Sequence, residues 1–289
     1  MFGTFRDGTS LRNRESYIVY EAKHGWAALN LGEVWRYREL LGFLAWRDIL
    51  VRYKQAVLGV AWAVIQPLMT MVVFTVVFNR LLGVQSASSE VPYEVFSFAG
   101  LLPWQFFAGA LSGASSSVVG SSNLLTKVYF PRLVIPLSSV LSGLVDLGIS
   151  FVVLAGLMVV YGITPTWNVV FLPFFLALAI ATALGVSLWT SALNVLYRDV
   201  RYIIPFLVQL WMFASPVIYP ASKVPAGPLR SLLALNPMSS VIEGFRWALL
   251  GQRAPSGPYL WLSVLGVGVV LLGGLFFFKR TERVFADVV

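Results

Sequence analysis

Acidic side chains are spread singly along this sequence, which limits the chemistry they could perform. Asp146 is the one carboxylate inside a long apolar stretch, and a proton relay would need further ionisable groups beside it. We expect Asp146 to be protonated or to hydrogen-bond to neighbouring Ser or Thr side chains. Glu243 and Arg246 have the helical spacing of an ion pair. The single histidine, His24, lies in the N-terminal tail, so the grouped acids or metal ligands of a membrane-bound glycosyltransferase are not in the pattern.

The sequence also lacks the motif by which P-loop ATPases bind nucleotide phosphates. The chain has no cysteine, and none of its lysines follows a glycine, so it lacks the Gly-Lys-Ser/Thr loop that holds ATP phosphates. We therefore expect no cofactor in this chain, with any ATP and Mg²⁺ bound by a separate subunit.

The last three basic residues before the first long apolar stretch are Arg47, Arg52 and Lys54. Their position suits attraction of a phosphate on a substrate that arrives along the membrane, although a solvated face of a simple anchor helix would look the same. The net charge of +8 is distributed between apolar runs, so anionic lipids are the expected partner and nucleic acid is not.

Aromatic and amide side chains recur in the apolar stretches and could line a path for sugars, whose C–H faces pack on aromatic rings. Phe206, Gln209 and Phe213 share one helical face. Packing against lipid or neighbouring helices would explain the same residues. The full set predicted to line a substrate pathway is Trp62, Phe74, Phe78, Trp104, Phe206, Gln209 and Phe213.

These residues must be positioned by membrane-spanning helices. The chain is 58% hydrophobic and 12% charged, with a mean hydropathy of +0.78, and crossing a bilayer takes about 20 apolar residues. We predict an all-α integral membrane fold of six transmembrane helices. Their predicted ranges are 57–78, 96–120, 133–161, 169–196, 203–219 and 259–278. Of the 21 Lys and Arg residues, 16 fall on the side of the predicted spans that holds both termini, which predicts a multi-pass protein of the bacterial inner membrane with both ends in the cytoplasm.

The remaining segments have distinct patterns. Residues 1–29 read as a cytoplasmic tail, and 30–56 as an amphipathic interface helix capped by Asn30, followed by a transmembrane domain over 57–289. The 220–258 segment predicts an external helical hairpin, either re-entrant at the exit of a pathway or resting on the membrane surface. Its gate residues would be Asn236, Pro237, Glu243 and Arg246, with Asn236 capping a helix that begins at Pro237.

Three segments carry a resemblance to a known family. They read WRDILVRYKQAVLGVAWAVIQPL at 46–68, NVLYRDVRYIIPFLVQLWMFASPVIYP at 194–220 and LNPMSSVIEGFRWALLG at 235–251. Their order and spacing resemble the permease subunits of ABC-2 polysaccharide exporters, such as the Wzm-like subunits of O-antigen export and their teichoic-acid and capsule relatives.

The resemblance implies partners and a cargo. It implies a homodimer, two copies of a nucleotide-binding ATPase subunit, and an undecaprenyl-diphosphate-linked glycan as substrate, with galactan, teichoic acid or capsule as alternative cargoes. A permease for drugs or ions, a proton-coupled transporter and a membrane-embedded glycan enzyme are the other classes considered. The implied ATPase contacts are Asn123, Lys127, Tyr129, Arg132, Arg198, Asp199 and Arg201, although the basic residues at 197–202 could simply end a helix.

Overall fold

The computed structural model describes residues 31–54, 59–86, 91–225 and 227–285, and this part of the chain is helical. The predictions for the 1–29 tail and for the Asn30 cap lie outside these residues. The elements that follow the tail are α1 (Leu31–Arg36), α2 (Arg38–Lys54), α3 (Val60–Phe74), α4 (Tyr93–Gly120), α5 (Ser122–Lys127), α6 (Val134–Val160), α7 (Leu172–Leu196), α8 (Val200–Phe213), α9 (Pro228–Leu235), α10 (Pro237–Leu250) and α11 (Gly257–Thr281).

Five helical segments in the described residues are long and apolar enough to cross a membrane. Three of them extend beyond a single α-helix, because α3 continues as a π-helix, α7 is preceded by a 3-10 turn and α11 is followed by one. The segments are Val60–Leu81, Tyr93–Gly120, Val134–Val160, Trp167–Leu196 and Gly257–Val284. Five of the six predicted spans are therefore confirmed as long apolar helices, with ends shifted by a few residues.

The sixth predicted span, 203–219, is wrong as a single helix. α8 has 14 residues, about 21 Å at 1.5 Å per residue, which is less than the roughly 30 Å of a bilayer core. The helix ends at Phe213 because Pro216 lacks an N–H and disfavours helical geometry at Ser215. The Ser215 hydroxyl instead donates to the Trp211 carbonyl at 2.8 Å, and the chain turns.

α4 lies at the centre of the bundle, in contact with α3, α6, α7, α8 and α10. Its most apolar window is 78% buried, against 17% to 33% in the other four spans. α4 is also the least hydropathic of the five, because it carries many Ser and Gly residues. A helix of this composition gains little from lipid contact, so it occupies the interior and exposes the more apolar helices around it.

The N-terminal helix is broken at Tyr37 and packs against the bundle. Leu44 is buried with residues of α4, α6, α7 and α11, whereas Trp35 and Phe43 remain exposed. α2 follows α6 along its length, and its last turn reaches Asp146. Asp146 is twelve residues, about 18 Å, into α6, so the last turn of α2 lies well within the length of the bundle.

Candidate functional site

A cavity of about 840 Å³ lies between the end of α2, α3 and α4, with one side closed by α6 and α8. This volume is within the range of small-molecule binding sites. The cavity wall contains residues for which two separate roles were predicted. Arg52 was predicted to attract a phosphate, and Trp62 and Trp104 were predicted to line a substrate pathway. Other lining residues are Tyr53, Gln66, Thr70, Gln105, Gly109, Ser112, Asp146 and Met212.

One wall of the cavity contains an ion pair that joins α2 to α6. Arg52 forms a salt bridge with Asp146, and the Tyr53 hydroxyl donates a hydrogen bond to the other oxygen of the same carboxylate. Burial, together with the hydrogen bond to Asp146, raises the pKa of the Tyr53 phenol. The predicted Ser or Thr partner of Asp146 is therefore wrong, because two side chains from α2 occupy the carboxylate.

The opposite walls combine aromatic rings with side-chain amides. Trp62 is 54% exposed, whereas Trp104 is buried with its ring centroid 5.4 Å from that of Phe107. Gln66 and Gln105 line the same cavity, and neither is among the predicted pathway residues. Their positions could have been recognised from the sequence, because an amide side chain inside an apolar span is costly in lipid and therefore favours a polar cavity. Aromatic faces and amides together suit a hydroxylated ligand such as a sugar.

A second pocket, of about 430 Å³, adjoins this cavity and shares Arg52 with it. Ser and Gly residues of α4 line both spaces along one helical face. Arg47 lies in the second pocket and pairs with Asp48 at 2.8 Å. Two of the three basic residues predicted to attract phosphate thus already have carboxylate partners, while Lys54 is exposed. A phosphate at this position would have to compete with Asp48 and Asp146.

The other predicted pathway residues do not meet in this cavity. Phe206, Gln209 and Phe213 lie exposed on one face of α8, as their spacing predicts, with Phe206 60% exposed. Phe74 is buried, and its ring meets the half-buried Phe78 edge-on with centroids 5.6 Å apart. The predicted set is thus divided between the cavity, the α8 surface and the core, and its role remains a prediction.

The predicted ATPase contacts cluster at one end of the bundle. Asn194 near the end of α7 donates to the Ser115 carbonyl near the end of α4, so α5 and the 197–202 turn lie close to each other. The exposed residues there are Asn123, Lys127, Tyr129, Arg198, Asp199 and Arg201. Arg132 differs, because it hydrogen-bonds to Glu282 and lies over the Phe285 ring at 5.9 Å, which ties this end to the C-terminal helix.

The predicted gate hairpin occupies the opposite end. Asn236 caps α10, which begins at Pro237, and accepts a hydrogen bond from the Met238 amide at 3.1 Å, as expected. The structure adds a link to α8, since the Asn236 side chain also accepts from Trp211 at 3.0 Å and donates to Ser215 at 2.8 Å. Most of α10 is buried, so protein covers its backbone.

The predicted salt bridge between Glu243 and Arg246 does not form between these two described residues. Arg246 is 3% exposed and donates to the carbonyls of Phe96, Pro216 and Val217 at 3.1, 2.6 and 2.5 Å. Its guanidinium carbon lies 3.6 Å from the centroid of the Phe96 ring. Burial lowers the pKa of Arg246 to about 9, so it stays charged at neutral pH. Arg246 therefore joins α10 to α4 and to the turn after α8.

Comparison with known proteins places these features in a family context. The model of the ABC-2 type transporter family matches residues 39–250. An O-antigen export system permease of Myxococcus xanthus is 35% identical over 242 residues, covering 83% of this chain and 91% of the relative. A protein of the same name from Klebsiella pneumoniae is 29% identical over 90% of this chain and 97% of its own length. A polysialic acid transport protein of Escherichia coli is 22% identical over 82% of this chain and 91% of its own length.

Proposed function

This chain belongs to the ABC-2 type transporter family, and on that premise we propose that it is the membrane-spanning subunit of an ATP-driven exporter of lipid-linked polysaccharide. The observation that carries the proposal is the similarity to O-antigen export permeases along nearly the whole length of both chains. The similarity to a polysialic acid transport protein favours capsule as the alternative cargo. Teichoic acid and galactan present the same sugar faces, whereas drugs and ions do not need them.

The chemistry of the 840 Å³ cavity supports a sugar cargo. Trp62 offers exposed aromatic surface, while Trp104 lies in the same wall but is buried. Gln66 and Gln105 offer donors and acceptors that sugar hydroxyls can exchange along a moving chain. The proposed substrate is an undecaprenyl-diphosphate-linked glycan. Its diphosphate would approach the basic residues of α2, where Arg52 stands at the edge of the cavity.

We further propose the topology. Both termini would face the cytoplasm of a bacterial inner membrane, with α1 and the start of α2 in the interface, where exposed Trp35 and Phe43 suit lipid head groups. α8 and the turns after it would complete a sixth crossing. α9 and α10 would dip in from the outer side, since a buried α10 meets the requirement that protein cover a re-entrant backbone.

Energy would come from a partner. We propose two nucleotide-binding subunits, holding ATP and Mg²⁺, which contact α5 and the 197–202 turn of two copies of this chain. Closing a pathway requires a second copy, because the aromatic face of α8 points away from its own bundle. ATP binding would shift α5, move the two copies relative to each other and let the glycan pass outward beside the α9–α10 hairpin.

Deleting the gene tests the function. Lipid-linked polymer should accumulate on the cytoplasmic side while its synthesis continues, and expression of the intact chain should restore surface polymer. Surface polymer that persists without the gene would refute export. Polymer that is never made would point to a biosynthetic enzyme instead.

A further inference from the structure

A third and smaller cavity, of about 110 Å³, lies at the other end of the bundle from α2, where α9 and α10 meet the segment that leads into α11. The space exceeds the 10–15 Å³ that one water needs, and is suited to one small ligand and not to a polymer. The residues that matter for its chemistry are Arg230, Ser239, Glu243, Arg246, Arg253 and Tyr259.

Positive charge exceeds negative charge on this wall. Three arginines act on Glu243, and their charges lower its pKa, but burial has the larger effect and raises it. Arg246 already donates to three backbone carbonyls, as described above. Arg230 is half-buried and Arg253 is exposed, so these two can turn their guanidinium groups toward a ligand. An anion is the ligand that this charge balance favours.

A buried hydroxyl on the same wall also points to a ligand. Ser239 is 5% exposed, and its hydroxyl has no hydrogen-bond partner within the described part of the chain. The adjacent Ser240 differs, because it pairs with Ser263 at 2.7 Å. Buried polar groups are nearly always satisfied, and because Ser239 lines the cavity its hydroxyl can be satisfied by a polar group bound there.

We propose that this cavity binds a single anionic sugar unit, a uronate or a sugar phosphate. The two arginines would hold the carboxylate or phosphate, Ser239 and Glu243 would bond to ring hydroxyls, and Tyr259 would offer an aromatic face. The site would give the outer end of the exporter a preference for acidic units. This inference rests on the proposed function for the cargo, whereas the binding itself does not depend on transport.

Direct binding to the purified full-length chain in lipid nanodiscs tests the proposal. The probes are glucuronate, glucose 6-phosphate, inorganic phosphate and glucose, measured by saturation-transfer NMR and calorimetry. Glucuronate or glucose 6-phosphate should bind at least tenfold more tightly than glucose. Equal binding of glucose would overturn the role of charge, and equal binding of phosphate alone would overturn the sugar.

Variants locate the site. Arg253→Gln and Arg230→Gln should each weaken binding of the anionic sugar about tenfold, and Ser239→Ala by a few fold. Arg80→Gln is the matched control, because Arg80 is an exposed basic residue near the same end that does not line the cavity. Arg230 is half-buried, so Arg230→Gln can disturb the fold. Arg253 is exposed, so Arg253→Gln should fold normally and keeps the test valid in that case. Unchanged binding in Arg253→Gln would refute this site, and normal export by that variant would leave the proposed function standing.

Discussion

Arg52 near the end of α2 forms a salt bridge with Asp146 in the middle of α6, and both residues line the large cavity. Tyr53 donates to the same carboxylate, so two consecutive residues of α2 are held by one acid. The link fixes the end of α2 beside Trp62 and Trp104. Any movement of α2 would therefore reach the cavity wall.

Removing this link should impair coupling more than folding. The two side chains are 41% and 33% exposed, so Asp146→Ala should lower stability by only about 1 kcal/mol or less. We expect export to fall severalfold while ATPase activity of the assembled complex changes less than twofold. Asp48→Ala is the control, because Asp48 pairs with its neighbour Arg47 and joins no two helices.

Charge reversal sharpens this test. Exchanging the partners in the double variant R52D/D146R should restore part of the export lost in either single variant. A double variant as poor as the worse single one would contradict a coupling role for the pair.

The sequence predicts the long apolar helices well, because each is recognised from its own composition. The Asn236 cap is also local, since Asn236 and the Met238 amide that donates to it are two positions apart. Asp146 and its partners are more than ninety residues apart, and no periodicity connects them. The prediction for Arg246 was wrong for a similar reason, because the local spacing suggested Glu243, whereas the carbonyls that accept from Arg246 in the turn after α8 are about thirty residues away.

Filling the large cavity should block transport without unfolding the chain. Gly109 lines the cavity, and a Cβ at this position would meet nothing within 4 Å, so Gly109→Leu would project into open space. We expect surface polymer to fall at least tenfold, measured against protein amount in the membrane. Gly148→Leu is the control, since Gly148 is equally open but does not line this cavity. Equal export by both variants would exclude the cavity from the pathway.

The exposed aromatic face of α8 gives a separate prediction. Replacing Phe206 and Phe213 together with Ala should lower export severalfold, because both rings are exposed on the surface proposed to face the glycan. Leu207→Ala is the matched control, as Leu207 is similarly exposed about 100° around the helix. ATPase activity should remain in all variants, and unchanged export in the double variant would remove this face from the pathway.

Glu243 predicts a pH dependence of stability. Burial raises its pKa in the folded state above the ordinary value, so folding favours the protonated form. The stability that this group contributes is complete below its ordinary pKa and is lost as pH rises through the raised value. Glu243→Gln resembles the protonated acid, so its melting temperature should match that of the unchanged chain near pH 4 and exceed it at pH 7.5. A variant that is less stable at pH 7.5 would show that the arginines hold Glu243 ionised.

Gly100 should be intolerant of any side chain, because Arg246 crosses α4 at this position. A Cβ on Gly100 would overlap the Arg246 guanidinium and would lie 3.1 Å from the Val217 carbonyl oxygen. Arg246 could move only by giving up hydrogen bonds in a buried site, which costs about 1–3 kcal/mol for an uncharged donor left unsatisfied and more for a charged one. We expect Gly100→Ala to lower the melting temperature of the purified chain by several degrees.

Gly156→Ala should instead be neutral or slightly stabilising, since nothing lies within 4 Å of its Cβ and Ala favours helix by about 1 kcal/mol over Gly. Combining Gly100→Ala with Arg246→Ala separates the causes. If the overlap with Arg246 is responsible, Gly100→Ala should add little to the loss that Arg246→Ala already produces. Fully additive losses would mean that Gly100 is required for another reason and that Arg246 does not depend on the space it leaves.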